Sequence, residues 1–163
     1  MIPDRFRALA GLLIVAALSS ANAQPTQRLD PMYVNARYDA GRDPAADVQA
    51  AVARARAENR AILLEVGGEW CVWCQILDRY LAANNGAHDA FAHAFVIVKV
   101  NQDQQSPGNP FLAPYPAPSG YPAFIVLDAD GKFVAVQDTA ALEKGRSYNQ
   151  AKMIAFARTW TRP

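Results

Sequence analysis

Apolar residues fall into short runs whose period changes several times along the chain, and the changes mark the elements. Asp43-Pro44 reads as a helix start, with Asp as N-cap and Pro in the first turn, where its missing N–H is harmless. Val48, Ala51, Val52 and Ala55 then recur on one face, so the spacing predicts a helix to about Glu58. Ala61 to Val66 (AILLEV) reads as a buried strand interrupted by one acid, Glu65. Gly67-Gly68-Glu69-Trp70 breaks that strand and Cys71 begins a helical pattern through Ala83. Ile76, Leu77, Tyr80 and Leu81 supply its apolar face, and Asn84-Asn85-Gly86 its stop. Ala87 to Ala94 suits a short helix, and Phe95 to Val100 (FVIVKV) the next strand.

Residues 102–120 contain Pro107, Pro110, Pro114, Pro116 and Pro118, which predicts a long loop without regular structure. Pro122 to Leu127 and Lys132 to Val136 flank the turn Asp128-Ala129-Asp130-Gly131 and read as a hairpin. Ser147 is placed to open a last helix, with Gln150 completing a capping box and Met153, Ile154, Ala157 and Trp160 on its apolar side. This order of elements specifies an α/β sandwich, a central mixed β-sheet flanked by helices on both faces. Residues 24–42 are polar and weakly patterned and read as an N-terminal arm, with Met32-Tyr33-Val34 as a possible edge strand.

The first residues change the picture. Arg5 and Arg7 precede an apolar run from Ala8 to Leu18, and Ala21-Asn22-Ala23 ends the segment. Those are the parts of a secretory signal peptide. The run is shorter than the about 20 residues of a spanning helix, although an uncleaved anchor remains the alternative. The expected organisation is a signal peptide over 1–23, the arm over 24–42 and one domain over 43–163. The expected location is periplasmic or otherwise exported, with no stable membrane insertion after cleavage. Cleavage before Gln24 would leave 14 basic and 14 acidic residues, a balance that offers nucleic acid no general attraction.

The chain's two cysteines both lie in Cys71-Val72-Trp73-Cys74. An exported domain in need of staples usually carries several pairs, and so short a loop constrains the unfolded chain little. Reversible chemistry is the stronger reading. Thiol–disulfide exchange needs a thiolate attacker and a second thiol to resolve the mixed disulfide. At a helix start, Cys71 lies near free N–H groups and the positive end of the dipole, which lowers its pKa and makes it the nucleophile. Cys74, one turn further in, is the resolving thiol. Cys71, Cys74, His88 and His93 also approach zinc-finger spacing, but the segment between them reads as helix, without the hairpin a finger needs. Gln75 stands where covalent haem attachment needs His. No nucleophile-elbow motif is present.

Ile62-Leu63-Leu64-Glu65 followed by Glu69-Trp70-Cys71-Val72-Trp73-Cys74 resembles the strand, Trp-Cys-x-x-Cys and helix of the thioredoxin superfamily. Val98-Lys99-Val100-Asn101 resembles the family's next strand, and Gly120-Tyr121-Pro122-Ala123-Phe124 the segment holding its cis-proline. The resemblance spans about residues 43–160 and implies a thioredoxin-like sandwich. It also implies that Glu65 is the buried acid that takes the proton of Cys74, that Lys99 pairs with this acid, and that Pro122 presents the backbone of Tyr121 to substrate. Alternation alone does not settle which way Glu65 or Lys99 points. Trp70, Val72, Trp73, Tyr121 and Pro122 are the expected substrate contacts.

Val72-Trp73 replaces the Gly-Pro of familiar thioredoxins, and Trp73 stands where oxidases commonly have His. A reductase or electron carrier is therefore favoured over an oxidase or isomerase. A non-catalytic binding module, with Trp70, Trp73, Tyr115 and Tyr121 as an aromatic surface, is a further alternative. Expected partners are protein thiols and disulfides and, by resemblance, a membrane electron relay. The chain is expected to act as a monomer, with no cofactor or metal beyond the Cys71–Cys74 pair.

Overall fold

The computed structural model describes residues 29–103 and 108–161. The expected signal peptide and its cleavage point lie outside the described residues. Four strands, β1 (Ala61–Gly67), β2 (Phe95–Asn101), β3 (Ala123–Leu127) and β4 (Phe133–Asp138), form one sheet in the order β2-β1-β3-β4. β1 runs parallel to β2 and antiparallel to β3, and β4 is antiparallel to β3, so the sheet is mixed as expected. Every residue of β1 is buried, which explains a strand that is apolar almost throughout.

Helix α1 (Pro44–Glu58) covers one face, laying Ala51 and Ala55 against Ile62, Leu64, Val98 and Ile125. Helices α2 (Val72–Ala83), α3 (Asn85–Ala94) and α4 (Gln150–Thr159) cover the other. There Leu77, Leu81, Phe91, Met153 and Phe156 pack on Leu63, Ile97 and Phe124. The α/β sandwich with a central mixed sheet inferred from the order of elements is the architecture observed.

Boundaries differ from expectation where a cap does double duty. Asn84 ends α2, but its side chain also accepts the N–H of Ala87 at 3.0 Å, so α3 begins at once and takes Asn85 and Gly86 into its first turn. The last helix starts at Gln150, because Asn149 rather than Ser147 is its cap. Ser147–Tyr148 instead forms β6 opposite β5 (Glu143–Lys144), a small hairpin turned at Gly145, whose φ is 62°. The proline-rich loop is not wholly irregular. Asn109 caps a single 3-10 turn at Pro110–Leu112, with Pro110 in its first position.

The arm adds one bridge to the edge of β2, Tyr33 beside Ile97, with backbone bonds from Val34 N–H to Ile97 and from Ile97 N–H to Met32 of 2.8 and 2.7 Å. Asn35 then substitutes its side-chain amide for a further ladder pair. It accepts from Lys99 N–H and donates to Lys99 C=O, both at 2.8 Å. The expected edge strand is thus a single bridge continued by an amide side chain.

Asp30 fastens the start of this arm to α3 through His88 Nε2, at 2.6 Å. The hydrogen bond to Asp30 raises the pKa of His88. Asp30 is lowered on balance, because its bonds with Met32 N–H and His88 outweigh burial. The two contributions have opposite signs. The raised His88 contributes fully below the ordinary histidine value of about 6.5 and loses its share as pH rises through its folded value. The lowered Asp30 contributes above the ordinary carboxylate range and loses its share as pH falls. Protection of the Val34 amide against hydrogen exchange should therefore be greatest in mild acid and decline through neutral pH. In His88→Asn that decline should vanish.

Candidate active site

The centre is built where β1 runs out. Gly68 C=O accepts the N–H of Cys71 at 2.9 Å, turning the chain so that Cys71 becomes the N-cap of α2. Cys71 Sγ in turn accepts the N–H of Cys74 at 3.1 Å, one of the donors a helix start leaves free. Cys71 and Cys74 are joined as a disulfide. Both cysteines are buried, Cys71 at 3% exposure and Cys74 at 0%.

Gly67 is required by close approach. A Cβ there would stand 2.5 Å from Cys74 Sγ and 3.2 Å from Cε1 and Cζ of Tyr38. The sulfur and the phenol ring together occupy the space a side chain would fill.

Two residues earlier on the same face of β1 is Glu65, fully buried, with Lys99 its register partner on β2. Both side chains point inward, which removes the solvent-facing alternatives. Tyr38 donates its hydroxyl to Glu65 Oε1. Lys99 Nζ lies 3.7 Å from the same oxygen and is bonded to Asp78 Oδ1, and it sits 4.9 and 5.4 Å over the rings of Tyr38 and Tyr33. Glu65 Oε2 has no hydrogen-bond partner among the described residues.

Burial pushes the Glu65 carboxyl above its ordinary value, more than Lys99 and Tyr38 pull it down. Burial would lower Lys99, but Glu65 and Asp78 outweigh it and hold the ammonium charged. Burial, reinforced by Glu65, keeps Tyr38 well above the usual phenol range, so it is a neutral donor.

On the rim, Trp70 meets Tyr121 edge-on, 5.6 Å between ring centres, and its indole N–H donates to Gln102 C=O at 2.9 Å. Tyr121 and Trp73 pack against the cluster of Tyr38, Cys71 and Cys74. The Tyr121–Pro122 bond is cis, and Pro122 C=O accepts the Thr139 hydroxyl at 2.5 Å. Val72 is exposed beside the sulfurs, whereas Trp73 turns inward to meet Tyr148 edge-on. Tyr115 is not part of this surface. It packs with Phe111 and Phe133, on the α1 side of the sheet. The approximate zinc spacing spans two helices, α2 and α3, rather than a hairpin and a helix.

Tyr38 and Asp78 were not singled out from the sequence. Asp78 is seven positions beyond Cys71, one turn past Cys74 on the same helix, and that spacing was the available signal. Tyr38 lies in a stretch without periodicity, 27 residues before the carboxylate it touches, and nothing local marks it.

A family model described as thioredoxin-like matches residues 43–129, more than half of the chain. Among solved structures, the chain is similar to a disulphide isomerase from Xylella fastidiosa Temecula1, with 26% identity over 78% of this chain and 98% of that one and a TM-score of 0.65. It is also similar in fold to the DsbD C-terminal domain of Neisseria meningitidis. The oxidised form has 18% identity and a TM-score of 0.54, covering 77% of this chain and 99% of that chain. No curated protein matches the sequence. Among the described residues no helix is long and apolar enough to cross a membrane, and no group of three or more His, Cys, Asp or Glu is arranged to hold a metal ion.

Because the cavity for a Gly67 side chain is already filled by sulfur and ring atoms, Gly67→Ala should destabilise the oxidised protein by about 1–3 kcal/mol, the usual range for overpacking. Denaturant unfolding of the oxidised protein, with and without the substitution, measures this.

Proposed function

The chain belongs to the thioredoxin-like family, and we propose that this thiol–disulfide oxidoreductase works after export as a disulfide reductase, with Cys71 as nucleophile and Cys74 as resolving thiol. The observation that carries the reading is the buried Glu65 carboxyl, held two residues from Gly67, over which the resolving sulfur lies. A buried carboxyl whose pKa is raised by desolvation is suited to take a proton from a thiol.

The electrons balance in two steps. The Cys71 thiolate attacks a substrate disulfide, forming the Cys71–substrate bond and releasing one substrate thiolate. Cys74 then loses its proton to Glu65 and attacks Cys71 Sγ. The Cys71–Cys74 bond forms, the second substrate thiolate leaves, and two electrons have passed to the substrate. Trp70, Val72, Tyr121 and Pro122 form the rim that a substrate chain would meet, with the backbone beside Pro122 available for extended pairing.

Reduction is favoured because, among the described residues, the polar contact to Cys71 Sγ is one backbone N–H, from Cys74, while Trp73 is engaged with Tyr148. A thiolate with few donors is less stabilised, and its dithiol surrenders electrons more readily. The isomerase reading rests on the likeness to the Xylella protein. Export rests on the basic, apolar and Ala-x-Ala order of residues 1–23. A reductase outside the cytoplasm needs resupply, for which a membrane electron relay is the proposed source.

Cys74→Ser should accumulate disulfide-linked protein partners, visible on non-reducing gels, and Cys71→Ser should not. Equal behaviour of the two would sink the assignment. The equilibrium of the pair with glutathione gives the direction: a potential near about −270 mV supports the reductase, and one near about −120 mV the oxidase. Glu65→Gln should slow resolution about a hundredfold. Wild-type resolution should fall as pH drops through the raised Glu65 value, above the ordinary carboxylate value of about 4.3, and Glu65→Gln should lose that limb.

A further inference from the structure

The match to the thioredoxin-like family begins at residue 43, yet the arm before it sends one side chain into the centre of the site. Tyr38 is buried, and its two ends do different things. Its hydroxyl is bonded to Glu65 Oε1, and its ring carbons share with Cys74 Sγ the space above Gly67. Tyr38 therefore touches both the proposed proton acceptor and the wall of the resolving sulfur. The carboxyl is left with Oε1 engaged by Tyr38 and near Lys99, and with Oε2 unpartnered among the described residues.

We propose that Tyr38 is a positioning residue for the resolution step, its hydroxyl fixing Glu65 Oε1 so that Oε2 is the oxygen that receives the proton of Cys74. The inference rests on the reading of Glu65 as proton acceptor. Each part of the arm's attachment supports the placement. Asn35 pairs with the backbone of Lys99, the N–H of Tyr38 donates to Glu69 at 3.2 Å, and Arg54 donates to Tyr33 C=O at 2.9 Å. These bonds set the path of the chain on both sides of Tyr38, so the phenol arrives as part of a fixed segment.

In the step itself, the S–H bond of Cys74 breaks and its proton passes to Oε2. The sulfur lone pair forms the bond to Cys71 Sγ, and the mixed disulfide gives up its substrate thiolate. Glu65 changes from carboxylate to acid with Oε1 still held. A phenol can donate only one hydrogen, and here it favours the charged carboxylate, the form that must be present before the transfer. The other titratable groups around Glu65 are Lys99 from β2, Asp78 and Cys74 from α2, Tyr33 from the arm, Glu69 from the turn after β1, and Tyr148 from β6. None of these changes in the substitution Tyr38→Phe, which keeps the ring and deletes only the hydroxyl.

The test uses the reduced full-length protein and a symmetrical aromatic disulfide whose thiolate absorbs visible light. Attack by Cys71 releases one coloured thiolate and resolution by Cys74 the second, so the two steps separate in stopped flow. In Tyr38→Phe the second release should fall about tenfold relative to the first at neutral pH, the effect of one hydrogen bond to a charged group. Its acid limb should move to higher pH. In the Glu65→Gln background the same substitution should add nothing. Superimposable pH profiles for wild type and Tyr38→Phe would overturn the proposal while leaving Glu65 as base. An equal fall in both releases, or a further fall in the Glu65→Gln background, would also overturn it by assigning Tyr38 to packing alone. If Glu65→Gln itself leaves the second release unchanged, the reading of Glu65 and this inference fail together.

Discussion

Glu65 stands on a strand covered on both faces, where an isolated carboxylate would lose several kilocalories of hydration. The neighbouring groups respond to that constraint. Lys99 is its register partner, Asp78 holds the far side of the ammonium, Tyr38 donates a neutral hydroxyl, and two phenol rings lie under the Lys99 charge. Removing one partner would leave a buried polar group exposed to the full penalty of desolvation. Such a network is poorly explained as a source of stability, because well-packed apolar residues would serve as well or better. A chemical use for a carboxyl whose pKa burial raises above its ordinary value accounts for its presence more simply.

The disulfide is set against this network by packing. Cys74 Sγ lies where Gly67 lacks a side chain, so a sulfur atom takes the place of a core methyl and is shielded from water. Cys71 sits at the cap of α2, with a backbone N–H directed at its sulfur and Val72 exposed beside it. One helical turn thus separates the capping sulfur from the fully buried one.

Much of this was legible in the residues. Strong periodicity over Val48 to Ala55 and over Ile76 to Leu81, with Asp43-Pro44 as a start, located two helices correctly. The apolar runs located the central strands. Local signals failed where one residue could serve two purposes. Asn84 reads as a stop but also caps the next helix, and Ser147 reads as a cap but pairs as a strand while Asn149 caps instead. For the site, Glu65 was visible as a lone acid in an apolar run, but its direction was not, because a strand buried on both faces has no polar alternation to fix it. Tyr38 was beyond reach of any local pattern, since its partner is distant in sequence and the arm carrying it has no period.

The arm also alters how the fold should be divided. Residues before Asp43 read as an appendage, and the family match leaves them out. Yet they supply the bridge beside Ile97, the amide that pairs with Lys99, and the phenol that binds Glu65. An edge strand that would otherwise present bare donors and acceptors is closed by the same segment that completes the buried network. Sheet protection and site assembly therefore depend on the same segment. Loosening the arm would expose β2 and would also withdraw the hydrogen bond that favours ionised Glu65. In this chain the arm contributes a group that reaches from outside the residues of the family match to the carboxyl.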